Sequence, residues 1–448
     1  MPSRPMKPHA GEPSPGSGNQ NPSYRPTVVD AFDPLEWVTV EPADASRATG
    51  ALADAQDADA QSANPLVFTI HDGACFPRHL FGDRTDEVLE RPEVLAAHGR
   101  ERDWGANLVA RHLARELGTG GYLRVNLARM VMDFGRFPGV SSRGEQYLLR
   151  HAIFAPLQDM LSGGARHEIL SRYYDSISSA LVQHFAHRKI TLGVHTYDRH
   201  NKSGTVRPEL SLISRSLSYQ QTSSLPSTIF DPLFPHILGE STADRRLVYR
   251  MALALELSGR RTALDYPYTM PEGSVEMRAQ VWFFFRHLRD AFLTQHPETR
   301  DQPAYQRVWQ MLLDVVRRSV DCERLRAYIH RYRETPVGSE LLFAEARTAY
   351  EAIARFFEAN RSELVDDYRF SPARPSTLGV EVRKDLLVEL DDQQMPLGFR
   401  PEADSLAGEI ATTLSAGIRD HLAERAGNLL PAPGRQALEG SCPDGPVS

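Results

Sequence analysis

Two histidines stand at equivalent places in this chain. His71 follows the apolar run Leu66-Val67-Phe68-Thr69-Ile70, and His195 follows Ile190-Thr191-Leu192-Gly193-Val194. Short apolar runs that end in loop residues read as buried strands. The carboxyl ends of strands are where open α/β sheets bind ligands. Imidazole is a common metal donor, and a hydrolytic zinc site usually adds a carboxylate while keeping one position for water. The plainer alternative is a pair of unrelated loop histidines. Other candidates offer less. His184-x-x-His187 has one-turn spacing, but Arg188 and Lys189 beside it mark a solvated basic face. Cys75 lies four residues past His71 and could act as a nucleophile, although a lone cysteine is more often a small core residue. Gly118-Thr119-Gly120-Gly121 lacks the Lys-Ser/Thr of a phosphate loop and reads as a helix stop.

The elements that must position these residues alternate. A strand at 66–70 precedes a helix over about 104–117, one or two strands within 123–134, a largely helical stretch at 145–188 and the strand at 190–194. This order predicts parallel pairing with helices on both faces, an α/β/α sandwich with a mostly parallel or mixed sheet. From about 283 to 366 the pattern is helical only. Val308, Met311, Leu312, Val315 and Val316 recur at helical spacing, as do Leu342, Ala346, Ala349, Ile353, Phe356 and Phe357. That stretch reads as a helical insertion or cap. The strand pattern returns at 378–382, and a final helix covers about 403–423. The body is therefore expected at 63–282 and 367–428, with the insertion at 283–366. Residues 1–62 read as disordered or loosely docked, except that 28–40 (Phe32, Leu35, Trp37, Val38) could dock on the body or on a partner. Residues 429–448 read as a flexible tail.

Composition narrows the function classes. The 448 residues carry a net charge of −7, which argues against a general nucleic-acid binder. Three cysteines are too few and scattered for a disulfide framework or a thiolate zinc cage. No apolar run is long enough to span a membrane, and the start Met-Pro-Ser-Arg-Pro-Met-Lys-Pro has no apolar stretch of a secretory signal. The expectation is a soluble cytoplasmic protein whose partner is a small-molecule or peptide-like substrate. Oligomeric state is not legible.

Several segments come in a telling order: His71-Asp72-Gly73-x-x-x-Pro77, then Arg102-Asp103-Trp104-Gly105, then Arg129-Met130-Val131-Met132-Asp133-Phe134-Gly135-Arg136, then His195-Thr196-Tyr197. Arg207-Pro208-Glu209-Leu210, Asp265-Tyr266-Pro267-Tyr268 and Val380-Glu381-Val382-Arg383 follow. Together they resemble the N-formylglutamate amidohydrolase family across about 65–425, the insertion excepted. The resemblance implies a fold similar to the zinc carboxypeptidases and one zinc per chain, held by His71, Asp103 and His195. It also implies a carboxylate that moves protons between water and the leaving nitrogen. Glu381 fits that role, and Glu276 in Val275-Glu276-Met277-Arg278 is its rival, being a near copy of the same local pattern. Arg136 and Arg129, with Tyr268 and Arg383, would bind substrate, since a guanidinium fork matches a carboxylate.

Departures from the family pattern are also visible. Asp72 replaces a small residue, Gly135 replaces Asn, and Gly193-Val194-His195-Thr196 lacks the acid that the family carries two residues before its histidine. The leading expectation is a metal-dependent amidohydrolase for a small N-acylated amino acid or peptide-like substrate. A carboxypeptidase-type peptide hydrolase is one alternative, and a non-catalytic binding or scaffold protein is another. The insertion, entering after Tyr268 and leaving before Glu381, is expected beside the active-site mouth. Its Phe283, Phe284 and Phe285 would then offer apolar wall to a substrate larger than N-formylglutamate.

Overall fold

The computed structural model describes residues 24–43, 65–136, 152–201, 203–217, 230–271, 273–331 and 337–428. Its strands are β1 (Thr27–Val29), β2 (Leu35–Thr39), β3 (Leu66–Thr69), β4 (Cys75–Pro77), β5 (Gly121–Val125), β6 (Ile190–Tyr197), β7 (Leu210–Ile213), β8 (Thr262–Leu264) and β9 (Ser376–Arg383), besides a small hairpin at 388–399. Seven of them form one sheet in the order β2-β5-β3-β6-β9-β7-β8. The central run β5-β3-β6-β9 is parallel, whereas β2 on β5 and β7 on β9 are antiparallel. The sheet is mixed, with helices on both faces, as the alternation of elements implies.

Period-2 alternation splits the apolar residues between those faces. Val67, Leu192, Val194, Val380 and Val382 pack on α1 (Ala106–Leu117), α3 (Arg245–Leu257) and α9 (Ala403–Asn428). Leu66 and Phe68 face the other way, toward α2 (Ser176–Phe185) and α4 (Val275–Gln295). His195 and Glu381 share this second face. The β6–β9 register runs unbroken from Ile190 opposite Ser376 to Tyr197 opposite Arg383, so His195 lies beside Glu381.

Three expectations change in detail. Residues 28–40 are built into the body: β1 pairs with β4, and β2 is the edge strand of the main sheet. Residues 1–23, 44–64 and 429–448 lie outside the described residues. The expected boundary at 283 falls inside α4, which is one continuous helix. The helices that follow, α5 (Pro303–Leu313), α6 (Val320–His330), α7 (Glu340–Ala359) and α8 (Arg361–Phe370), pack onto it and share its apolar core. Phe292 of α4, for example, meets Trp309 and Phe356 with ring centroids 5.7 and 5.2 Å apart.

Phe283, Phe284 and Phe285 are buried. Phe284 packs on Phe234, Phe357 and Tyr368, so this cluster is core and supplies no wall to a substrate. The physical reason is spacing. Three consecutive aromatics on a helix point in three directions, and all are covered only when the helix is enclosed on several sides. The chain then enters β9 at Ser376, the end of the strand remote from Glu381.

Candidate metal centre

Three segments bring the ligand candidates together. His71 lies just past β3, in a turn that passes tightly over the loop after β5. A Cβ on Gly73 would run into the backbone of Asn126 and Leu127, so glycine is required there. Asp103 stands between a helix at 92–101 and α1, and its backbone N–H donates to the His71 carbonyl at 3.0 Å. The next residue anchors it: Trp104 is buried, its Nε1 donates to the Gly99 carbonyl at 2.8 Å, and Arg102 stacks 4.2 Å over its ring. His195 comes from β6.

The three side chains converge. Asp103 Oδ2 lies 3.0 Å from His195 Nδ1 and 3.5 Å from His71 Nδ1. One donor atom from each residue falls within 4.8 Å of the others, and all three residues are buried. Among the described residues this is the one grouping suited to a metal ion, and neither His184 nor His187 belongs to it. Each imidazole thus turns Nδ1 inward. Its Nε2 points to a carboxylate behind: Asp133 Oδ1 at 2.8 Å for His71, and Glu276 Oε1 at 3.6 Å for His195. Carboxylates in this position are the usual means of fixing a ligand imidazole.

Charges around the site follow from these contacts. Burial opposes ionisation of Asp103, but hydrogen bonds from His195 and His71 and the Arg129 charge outweigh it and hold the carboxyl well below the usual range. Burial likewise acts against a charged His195, yet Asp103 and Glu276 push its pKa well above the ordinary histidine value. Burial pushes the Glu381 carboxyl up. Asp103, Asp133 and Glu381 face Arg129, Asp133 also faces Arg136 at 3.9 Å, and Glu276 faces only the histidines. An excess of buried carboxylates over cations, with two imidazoles turned to one point, suits a divalent metal.

Glu381 lies beside His195 across the β6–β9 pairing. Tyr268 donates its hydroxyl to Oε1, and Oε2 is buried without a hydrogen-bond partner among the described residues. Glu276, its rival in the sequence, instead sits behind His195. Two expected substrate ligands are committed elsewhere. Arg129 bridges Asp133 (3.2 Å) and Asp103 (3.4 Å), and buried Arg383 pairs with Asp385 at 2.6 Å. Arg136 differs: its side chain is 45% exposed and reaches Asp133 only at 3.9 Å. Cys75 belongs to β4, paired with β1 rather than in the triad.

A buried His/Asp/His group at the carboxyl side of a mixed α/β sheet defines the protein as an α/β chain with a candidate metal centre. No family model matches the sequence, and no curated protein matches it. Among solved structures, the chain aligns with a gene product of Agrobacterium tumefaciens at 14% identity and TM-score 0.40, covering 82% of this chain and 94% of that one. It also aligns with an N-formylglutamate amidohydrolase from Ralstonia eutropha JMP134 at 13% identity and TM-score 0.41, covering 88% of this chain and 99% of that one. Similarity at this level carries no argument about chemistry, which rests on the site itself. No helix among the described residues is long and apolar enough to cross a membrane.

Proposed function

We propose that this chain is a zinc-dependent amidohydrolase that cleaves an amide bond of a small N-acylated amino acid or peptide-like substrate. The observation that carries the reading is Glu381: a buried carboxylate beside His195 of the three converging metal donors, with one oxygen held by Tyr268 and the other without a hydrogen-bond partner among the described residues. His71, Asp103 and His195 would hold the zinc, which when bound supplies Lewis acidity toward a carbonyl and toward water. Glu381 takes a proton from the attacking water on its unpaired oxygen and delivers it to the departing nitrogen. Its upward-shifted pKa suits a group that must both accept and release a proton near neutrality. Tyr268 fixes the carboxylate so that the accepting oxygen faces the reaction. Arg136, the guanidinium least committed to internal partners here, binds a substrate carboxylate.

The test is amide hydrolysis by zinc-loaded protein against a panel of N-formyl and N-acyl amino acids and short peptides. Turnover abolished by a chelator, restored by zinc and lowered in Arg136→Ala for carboxylate-bearing substrates supports the reading. A loaded protein that hydrolyses none of them overturns it.

A further inference from the structure

The sequence offers Glu276 only as a rival to Glu381, and its setting is specific. It is 3% exposed, in the first turn of α4, where Ser274 caps the helix by accepting from the Met277 N–H at 3.1 Å. Its backbone carbonyl accepts from Thr377 Oγ1 at 3.1 Å, which ties this turn to β9. From there the side chain crosses to β6 and occupies the space beside Gly193. A Cβ at position 193 would collide with Glu276 Oε1, lie 2.9 Å from the Phe68 ring and come within 3.2 Å of His195 Nε2. The absence of a side chain on β6 therefore makes room for a carboxylate delivered by a helix. Oε1 has no hydrogen-bond partner among the described residues at normal bonding distance, and His195 Nε2 lies 3.6 Å from it.

The same arrangement exists on the other histidine, where Asp133 stands behind His71 Nε2 and leaves Nδ1 turned toward Asp103. We infer that Glu276 is the positioning residue for His195: it holds Nε2–H so that Nδ1 faces the metal point, a job that needs both its carboxylate and a glycine at 193. This rests on the metal-site reading above and assigns Glu276 a role distinct from proton transfer.

The experiment measures zinc affinity by competition with a chromophoric chelator, using the full chain. Wild type, Glu276→Gln, Glu276→Ala and His71→Ala are compared, together with the melting temperature of each metal-free protein and the absorption spectrum of each cobalt-loaded one. The expected result is a loss of about 10–100-fold in zinc affinity for Glu276→Ala, the usual cost of losing a carboxylate behind a ligand histidine. Glu276→Gln keeps the shape and an accepting oxygen, so it should lose less, and its cobalt spectrum should shift while the metal-free melting temperature holds. Both Glu276 variants binding zinc as tightly as wild type, with His71→Ala binding none, overturns the positioning role and leaves the metal site standing. Wild type binding no zinc overturns the site itself.

Discussion

The two histidines of the site are braced in different ways. Behind His71 stands a network centred on Asp133, 62 residues further along the chain. Asp133 takes His71 Nε2 and the Gly135 N–H on Oδ1, both at 2.8 Å, and receives Arg129 on Oδ2. Arg129 continues to Asp103 and to the Glu101 carbonyl. Behind His195 stands a single carboxylate from a helix that begins eighty residues later in the chain, fitted into the gap over a glycine. The first arrangement is cross-linked, so losing one member strands the others. The second depends on one fit between two elements. The same task, keeping Nδ1 inward, has a networked solution and a solitary one, and they should fail differently.

The largest effects come from the point that both halves share. Metal analysis should find about one zinc per chain, and His71→Ala, Asp103→Ala and His195→Ala should each reduce it to near none. Retained zinc in all three variants removes the basis of the comparison. Next comes the split between the two glutamates. Glu381→Gln should keep the metal while kcat falls by roughly 10²–10⁴-fold, the size of a general-base effect. Glu276→Gln, measured at saturating zinc, should lose far less. Equal losses at saturating metal would mean that both carboxylates take part in proton transfer.

Stability should separate the halves in the opposite sense. Asp133→Asn removes the charge that Arg129 and His71 both face, leaving Asp103 as the ion-pair partner of Arg129 among the described residues. Breaking a buried pair costs about 3–5 kcal/mol. The partial exposure of Arg129 and the retained shape of asparagine reduce this to roughly 2 kcal/mol. Thermal unfolding of the metal-free protein should therefore drop by several degrees for Asp133→Asn and by less for Glu276→Gln. The reverse order would mean that the His71 network is not the stiffer brace.

This contrast also explains what the sequence could reveal. His71 and His195 were legible because each ends a short apolar run, whereas Asp103 and Glu381 came only from the resemblance of their segments to a family pattern. The place of Glu276 was not legible, since Val275-Glu276-Met277-Arg278 copies the pattern around Glu381, and only the tertiary fit against Gly193 tells the two apart. The missing acid in Gly193-Val194-His195 was visible as a loss; that a helix supplies another was not. The edge strand β2 read only as a docking segment, because Trp37 and Val38 are half covered and pair with β5 across a long stretch of chain. β7 and β8 are too short, at 210–213 and 262–264, for alternation to stand out. The Phe283–Phe285 cluster showed the limit from the other side, since apolar type does not say whether a residue lines a cleft or fills a core.

The smallest expected effect tests how firmly the His71 side is packed from behind. His98 is buried against Trp104, with ring centroids 6.2 Å apart, and Trp104 adjoins Asp103. Burial, with the Arg102 charge adding to it, lowers the His98 pKa to about 3. An unfolded histidine titrates near 6.5. Between those values the unfolded chain binds a proton that the folded chain does not, so stability is full above about pH 6.5 and falls as the pH drops toward 3. The slope from this one group approaches about 1.4 kcal/mol per pH unit, which amounts to roughly 1–2 kcal/mol between pH 7 and pH 5. Other groups titrate over the same range, so the informative quantity is the difference between wild type and His98→Asn in denaturant unfolding of the metal-free protein. The variant should be less stable at pH 7 through lost packing, and the gap should narrow toward pH 5 as wild type loses the contribution of its neutral imidazole. Parallel curves would mean that His98 takes up its proton in the fold as readily as outside it, and that the wall behind Trp104 and Asp103 is open to water.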